Sequence, residues 1–179
     1  MPSKTFPHPM WKNYMRIISI DPGYERLGIA IVEKHPRGKT SGVNKEILIF
    51  SECFKTSSNL PHHQRLSLIG NRIKKTIKKY KPEVLVTEKL FFSGNQKTAM
   101  LVAEARGVIL YIGNYYGLEV FEYTPNQVKI AITGYGRSEK RQIIDMVKKL
   151  IIVTSKTKSD DEFDAIAIGL THFAINKIK

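Results

Sequence analysis

Cysteine is all but missing from this chain. Cys53 is the one cysteine among 179 residues, so no disulfide can close within the chain, which fits a reducing cytoplasm. No apolar run approaches the roughly 18–20 residues that a membrane span requires. Residues 1–14 have no long apolar block ahead of a small-residue cleavage site, so they do not read as a secretory leader. Internal repeats, low-complexity tracts and long linkers are absent, and no Cys/His spacing of the zinc-binding kind occurs. Acid is scarce as well: 16 Asp and Glu stand against 29 Lys and Arg, giving a net charge of +13. A disulfide scaffold, a membrane-spanning protein and a zinc module are therefore poor descriptions of it.

What is present points toward polyanions. A strongly basic field attracts phosphate, and counterion release would supply most of the binding energy. A solvated lysine-rich surface gives the same residue count, so charge nominates nucleic acid without naming it. Apolar residues make up 42% of the chain, enough for one domain with a real core. Residues 1–15, with Pro2, Pro7 and Pro9, read as a loosely ordered basic arm, and 16–179 as a single domain.

Residues 16–20 form a short apolar run that stops at Asp21-Pro22-Gly23, a turn signal, and 27–32 resume it, so the pair reads as a β-hairpin. A polar surface turn (35–45) and a third strand (47–54) follow. After Pro61, Leu66, Ile69, Ile73 and Ile77 recur at helical spacing with lysines on the other face, until Lys81-Pro82 ends the helix. Residues 84–87 are a β-branched run consistent with a buried central strand. A second helix (95–116), a strand (118–123) and a helix opened by Thr124-Pro125 come next. Residues 138–150 read as an amphipathic helix with Ser138 at its N-cap, and 160–175 as a last helix with acids in its first turn. The order β-β-β-α-β-α-β-α-α-α predicts an α/β fold: a mixed five-stranded sheet with helices on both faces.

Three acidic sites stand out. Asp21 ends the first strand and Glu88 ends the buried one, while Asp161 and Asp164 are three apart at the start of the last helix, on one face. If the first and fourth strands are neighbours, Asp21 and Glu88 meet at their ends and the last helix closes the site. Clustered carboxylates in a partly desolvated pocket take up protons unless a cation neutralises them. Hard divalent ions such as Mg²⁺ favour such oxygen donors, and a pair of ions can serve both sides of a phosphate. Taken singly each signal is weak, since Asp before Pro-Gly is a common turn residue and helix N-termini attract acids. Glu88 is the harder one to dismiss, because a carboxylate ending a buried strand needs a partner.

Together these segments resemble the RuvC family of Holliday-junction resolvases, within the ribonuclease H-like fold. Ile20-Asp21-Pro22-Gly23 with Gly28 is similar to that family's first motif, and Glu88-Lys89-Leu90-Phe91-Phe92 to its second. Ala103 to Val108, Glu122-Tyr123, Gln127-Val128-Lys129, Gly134, Ser138-Glu139-Lys140, Asp161 to Ile168 and His172 continue the match in order. The resemblance covers nearly all of the chain beyond the arm. It implies a metal-dependent endonuclease that resolves four-way DNA junctions by paired symmetric nicks, leaving 5′-phosphate and 3′-hydroxyl ends, in recombination and repair. It implies Asp21, Glu88, Asp161 and Asp164 as catalytic and metal-binding carboxylates, with two Mg²⁺ per site and Mn²⁺ as a substitute. Some relatives carry His at the position of Asp161, so its part stays open, whereas Asp21, Glu88 and Asp164 are the firm ligands. Asp160 is the confounder beside it.

Phe91 matches an aromatic used at the junction centre, and Lys129 and Lys140 match basic positions near the scissile phosphate. Arg106 is either a DNA contact or half of a structural ion pair. The family's symmetric homodimer would suit a two-fold junction. Ala99, Val102, Ala103, Ile109 and Ile112 are candidates for its interface or for the chain's own core. A branch-migration helicase is a further candidate partner. The sequence departs from the family pattern at Leu27, at Lys89 where glutamine is usual, in the basic arm and in the longer turn at 35–45. Three other readings remain: a related nuclease acting on RNA or flapped DNA, a silent junction-binding protein, and an actin-like ATPase built on the Ile-Asp-Pro-Gly hairpin. Retention of all four acids argues against the second, and the want of a second lobe argues against the third.

Overall fold

The computed structural model describes residues 14–34, 46–90, 96–151, 157 and 159–176. Among them the chain forms β1 (Met15–Asp21), β2 (Arg26–Lys34), β3 (Ile47–Lys55), α1 (His62–Tyr80), β4 (Val84–Glu88), α2 (Gln96–Tyr115), β5 (Glu119–Tyr123), α3 (Pro125–Thr133), α4 (Lys140–Leu150) and α5 (Asp160–Ile175). The element order is the one the sequence predicts. The strands lie in one sheet in the order β3-β2-β1-β4-β5. β1, β2 and β3 pair antiparallel, whereas β4 lies parallel to both β1 and β5.

β1 and β4 are the middle of this sheet, and their apolar runs fill both faces. Ile17, Val84 and Val86 point to a core shared with α3, α4 and α5. Ile18, Ile20 and Leu85 point to a second core under α1 and α2. Covering both faces removes the need for polar alternation, so these strands read as continuous hydrophobic stretches. The one fully buried polar side chain facing α5 from β1 is Ser19, whose hydroxyl lies where a side chain at Gly169 would collide with it: an added Cβ would come within 2.8 Å. Glycine on the helix and serine on the strand thus let α5 seat tightly on β1. From Phe163 to Phe173 that helix is buried at every position except Asp164, which is only partly covered.

Several boundaries differ from the expectation. β1 begins at Met15, inside the stretch read as an arm, and ends on Asp21 as expected. α4 starts at Lys140 with Glu139 as its N-cap, because the Gln142 side chain accepts from the Glu139 amide (2.8 Å). Ser138 is instead buried, bonded to Thr133 Oγ1 (2.5 Å) and the Tyr135 carbonyl (2.7 Å) in the connection from α3. Ile109 and Ile112 of α2 belong to the chain's own core, while Ala99, Val102 and Ala103 are half-buried. The arm at 1–13, the turn at 35–45 and Phe91 lie outside the described residues. No helix among the described residues is long and apolar enough to cross a membrane.

Candidate active site

The parallel pairing of β1 and β4 sets the first two acids. Ile20 stands opposite Thr87, and the Thr87 hydroxyl donates to the Ile20 carbonyl (3.0 Å), tying the strands at that point. Asp21 and Glu88 are each the next residue, so both leave the sheet side by side at its carboxyl edge.

α5 supplies the third. Ser159 caps it through a capping box: its hydroxyl accepts from the Glu162 amide (3.3 Å) and Glu162 accepts from the Ser159 amide (3.2 Å). The other Glu162 oxygen accepts from Ser51 of β3 (2.6 Å), which pins this first turn to the edge of the sheet. Gly28 of β2, paired with Asp21, leaves the room for it. A Cβ there would lie 2.1 Å from the Asp161 carbonyl oxygen and 3.1 Å from the Asp21 Cβ. Glycine is needed here for close approach rather than for its backbone freedom.

The outcome is a cleft lined by Asp21, Glu88 and Asp164, by Lys129 of α3 and Lys140 of α4, and by an apolar wall of Pro125, Val128, Ile143, Ala167 and Ile168. Lys140 Nζ bonds Asp164 Oδ2 (3.0 Å) and reaches the exposed Asp160 (3.4 Å). Asp160 is outside the cleft lining. Even with these lysines the cleft is over-supplied with negative charge. Burial, then the charges of Asp164, Glu88 and Asp161, lift the Asp21 carboxyl well above its ordinary range, against a smaller pull from Lys140. Burial and the Asp164 charge push Glu88 up to about 7, with Lys129 opposing. Asp164 is raised by burial although Lys140 counteracts it. Three carboxyls raised together in one cleft form a donor set that a bound cation would hold in the ionised form.

The donor set suits a hard divalent ion. Among the described residues no three such side chains are drawn together closely enough to enclose one unaided. Mg²⁺ does not require that, since it typically takes one or two carboxylates and completes its shell with water and substrate phosphate oxygens.

Asp161 stands apart from the other three. Its Oδ2 accepts from Arg26 Nε (2.9 Å) and Nη2 (2.5 Å) and from the Cys53 thiol (3.3 Å), and it is not part of the cleft lining. Burial works to raise it, but the Arg26 and Cys53 hydrogen bonds prevail and hold it below the usual carboxylate range. Sequence reading missed Arg26, Cys53 and the Ser51–Glu162 bond. Their partners are 135, 108 and 111 residues away, and no local spacing announces such pairs.

The remaining candidates separate. Lys129 and Lys140 are in the cleft. Arg106 is ion-paired with Glu122 of β5 and lies outside it. His172 is a core residue, 2% exposed, bonded to the Tyr123 hydroxyl (3.1 Å) and held by burial at a pKa of about 4.

Known proteins resemble this chain in sequence and in fold. The family described as crossover junction endodeoxyribonuclease RuvC matches residues 17–172. The RuvC of Fusobacterium nucleatum is 43% identical over 158 residues, spanning 88% of this chain and 80% of its own. The structure of Thermus thermophilus RuvC in complex with a Holliday junction substrate superposes with a TM-score of 0.79 at 30% identity, covering 90% of this chain and 94% of the other. A yeast mitochondrial Holliday junction resolvase shares the fold alone, with a TM-score of 0.62 at 11% identity, over 89% of this chain and 79% of its own. A match that runs from the first strand to the last helix, in sequence and in structure alike, makes this chain a member of the RuvC family.

Proposed function

We propose that the chain is a divalent-metal-dependent endodeoxyribonuclease that resolves four-way DNA junctions in recombination and repair, in the cytoplasm. The observation that carries this is the convergence of Asp21, Glu88 and Asp164 with two lysines in one cleft, in a member of this family. A related nuclease on RNA and a silent binding protein are not favoured, since the named relatives are crossover junction endonucleases.

Asp21, Glu88 and Asp164 would hold the metal, two Mg²⁺ per site with Mn²⁺ as a substitute. Bound there, such ions supply a water nucleophile at neutral pH and stabilise the leaving oxygen. The acids at the sheet edge fix where the scissile phosphate can sit. Lys129 and Lys140 offset its charge from the α3 and α4 side. The apolar wall beside them lowers the local dielectric and strengthens each of these charge interactions. In the second motif, Phe91 would stack on an unpaired base at the junction centre, a contact worth roughly 1–3 kcal/mol. Arg106 is better placed to fix α2 against β5 than to meet DNA.

Paired nicks need two sites related by symmetry, so the working form is a homodimer. The outer surface of α2 suits that contact, where Met100, Tyr111 and Tyr115 are each more than 60% exposed. A branch-migration helicase remains a partner to be sought by co-purification. The test of the whole reading is a labelled four-way junction incubated with Mg²⁺ beside a linear duplex. Paired nicks that yield religatable duplexes are expected, with Glu88→Gln inert. An uncut junction, or equal cutting of the duplex, would refute it.

A further inference from the structure

The fourth acid of the set is held out of the cleft by a residue that no reading of the motifs singles out. Arg26 follows the Asp21-Pro22-Gly23 turn at the start of β2, beside the strand end that carries Asp21. Both Nε and Nη2 of its guanidinium grip a single oxygen, Asp161 Oδ2, and the Cys53 thiol donates to that same oxygen. The Asp161 backbone meanwhile presses on Gly28, so its carboxyl stays next to the cleft although it is turned from it. Two features make this arrangement exchangeable. The Arg26 side chain is 49% exposed, so DNA can reach it, whereas the Asp161 side chain is only 20% exposed. A guanidinium fork also fits a phosphate as well as it fits a carboxylate, and nothing covalent has to change when one replaces the other.

We infer that Arg26 is a positioning residue that exchanges partners: it holds Asp161 aside in the free protein, takes a backbone phosphate when DNA binds, and so releases Asp161 toward the metal-binding acids. This rests on the reading of Asp21, Glu88 and Asp164 as the metal site. The free protein then has a three-acid site, and the fourth carboxylate arrives with the substrate. Metal-supported chemistry is thereby coupled to occupation of the DNA surface, and unproductive hydrolysis elsewhere is kept low.

The test uses the full chain and measures Mn²⁺ binding without DNA by electron paramagnetic resonance. The variants are Arg26→Ala, Asp161→Asn and the double substitution. Arg26→Ala is expected to bind Mn²⁺ several-fold more tightly than wild type, because Asp161 is freed. Simple removal of a positive charge would give a gain that persists in the Asp161→Asn background, so the exchange predicts that most of the gain disappears there. Junction binding without metal should weaken in Arg26→Ala, with a salt slope shallower by about one contact. An unchanged Mn²⁺ affinity, a gain equally large with Asp161→Asn, or an unchanged salt slope each overturns the exchange. A wild type that binds no Mn²⁺ overturns the metal site, and the exchange falls with it. Arg26→Lys, which keeps the charge but loses the fork, carries the same Mn²⁺ comparison if the alanine variant does not fold. It should also bind more tightly than wild type, and equality with wild type counts against the exchange.

Discussion

Asp161 and Asp164 lie one turn apart on α5, yet their surroundings pull them in opposite directions. On the cleft side, Asp164 faces Asp21 and Glu88 and is pushed toward protonation by burial. On the β2–β3 side, Asp161 has Arg26 and Cys53 and is held ionised. The same residue type, on the same helix end with the same dipole, is raised by burial in one place despite Lys140 and lowered by Arg26 and Cys53 in the other. Local sequence cannot assign these roles, because the deciding partners come from other elements.

The largest difference should appear in cutting. Asp164→Asn is expected to lower the rate of junction cleavage by at least about 10²–10³-fold, as loss of a group acting at the reacting phosphate does. Asp161→Asn should cost only about 10–100-fold, the usual scale for a supporting ligand or its partner. Single-turnover rates on a labelled junction, taken at saturating protein so that differences in binding drop out, measure both. Equal losses would erase the distinction between the two sides.

Gly28→Ala attacks the ground common to both sides. The new methyl must displace the Asp161 carbonyl or part β2 from β1, so a loss of about 1–3 kcal/mol or more in unfolding free energy is expected, together with reduced cutting. Urea denaturation reads it directly.

A third prediction concerns pH. Glu88 is raised to about 7 from 4.5, so protonation favours the native state. Its contribution to the metal-free protein is therefore fully present below about pH 4.5 and is lost as pH rises through about 7. Metal binding opposes that loss, so the gain in Tm on adding Mg²⁺ should be larger at about pH 8 than at about pH 6. Each 1 kcal/mol corresponds to about 2–4 °C in a chain of this size. A gain that shrinks with rising pH would contradict the placement of Glu88 in the metal set.

The smallest effect belongs to the cap. Ser159→Ala removes the acceptor for the Glu162 amide and should cost about 1 kcal/mol, seen as a modest fall in Tm. If cutting falls far more than stability, the helix cap positions the acids as well as supporting them.

Much of this was legible in the chain itself. The two-sided apolar runs of β1 and β4 announce central strands, and acids at their ends announce a site, because both signals are local. The extent of α5 follows from its first-turn acids and its apolar stretch. The cap of α4 lies one residue later than the sequence suggests: Ser138 is a good cap by type, but a polar turn engages its hydroxyl and Gln142 closes the box on Glu139. Arg106 shows the same limit, since its partner Glu122 lies on another element. Arg26 is the strongest case, being an ordinary strand arginine until the last helix is folded over it.

The placement of α5 has a consequence for synthesis. A ribosome-bound chain stalled before residue 160 already carries Asp21 and Glu88, but not Asp164, nor the helix that covers Ile17, Ala30 and Val86. Such a nascent chain holds a half-exposed sheet and an incomplete set of acids. Contacts of such long sequence separation also form slowly. A truncated product left by an interrupted ribosome therefore lacks both Asp164 and the cover over one face of the sheet.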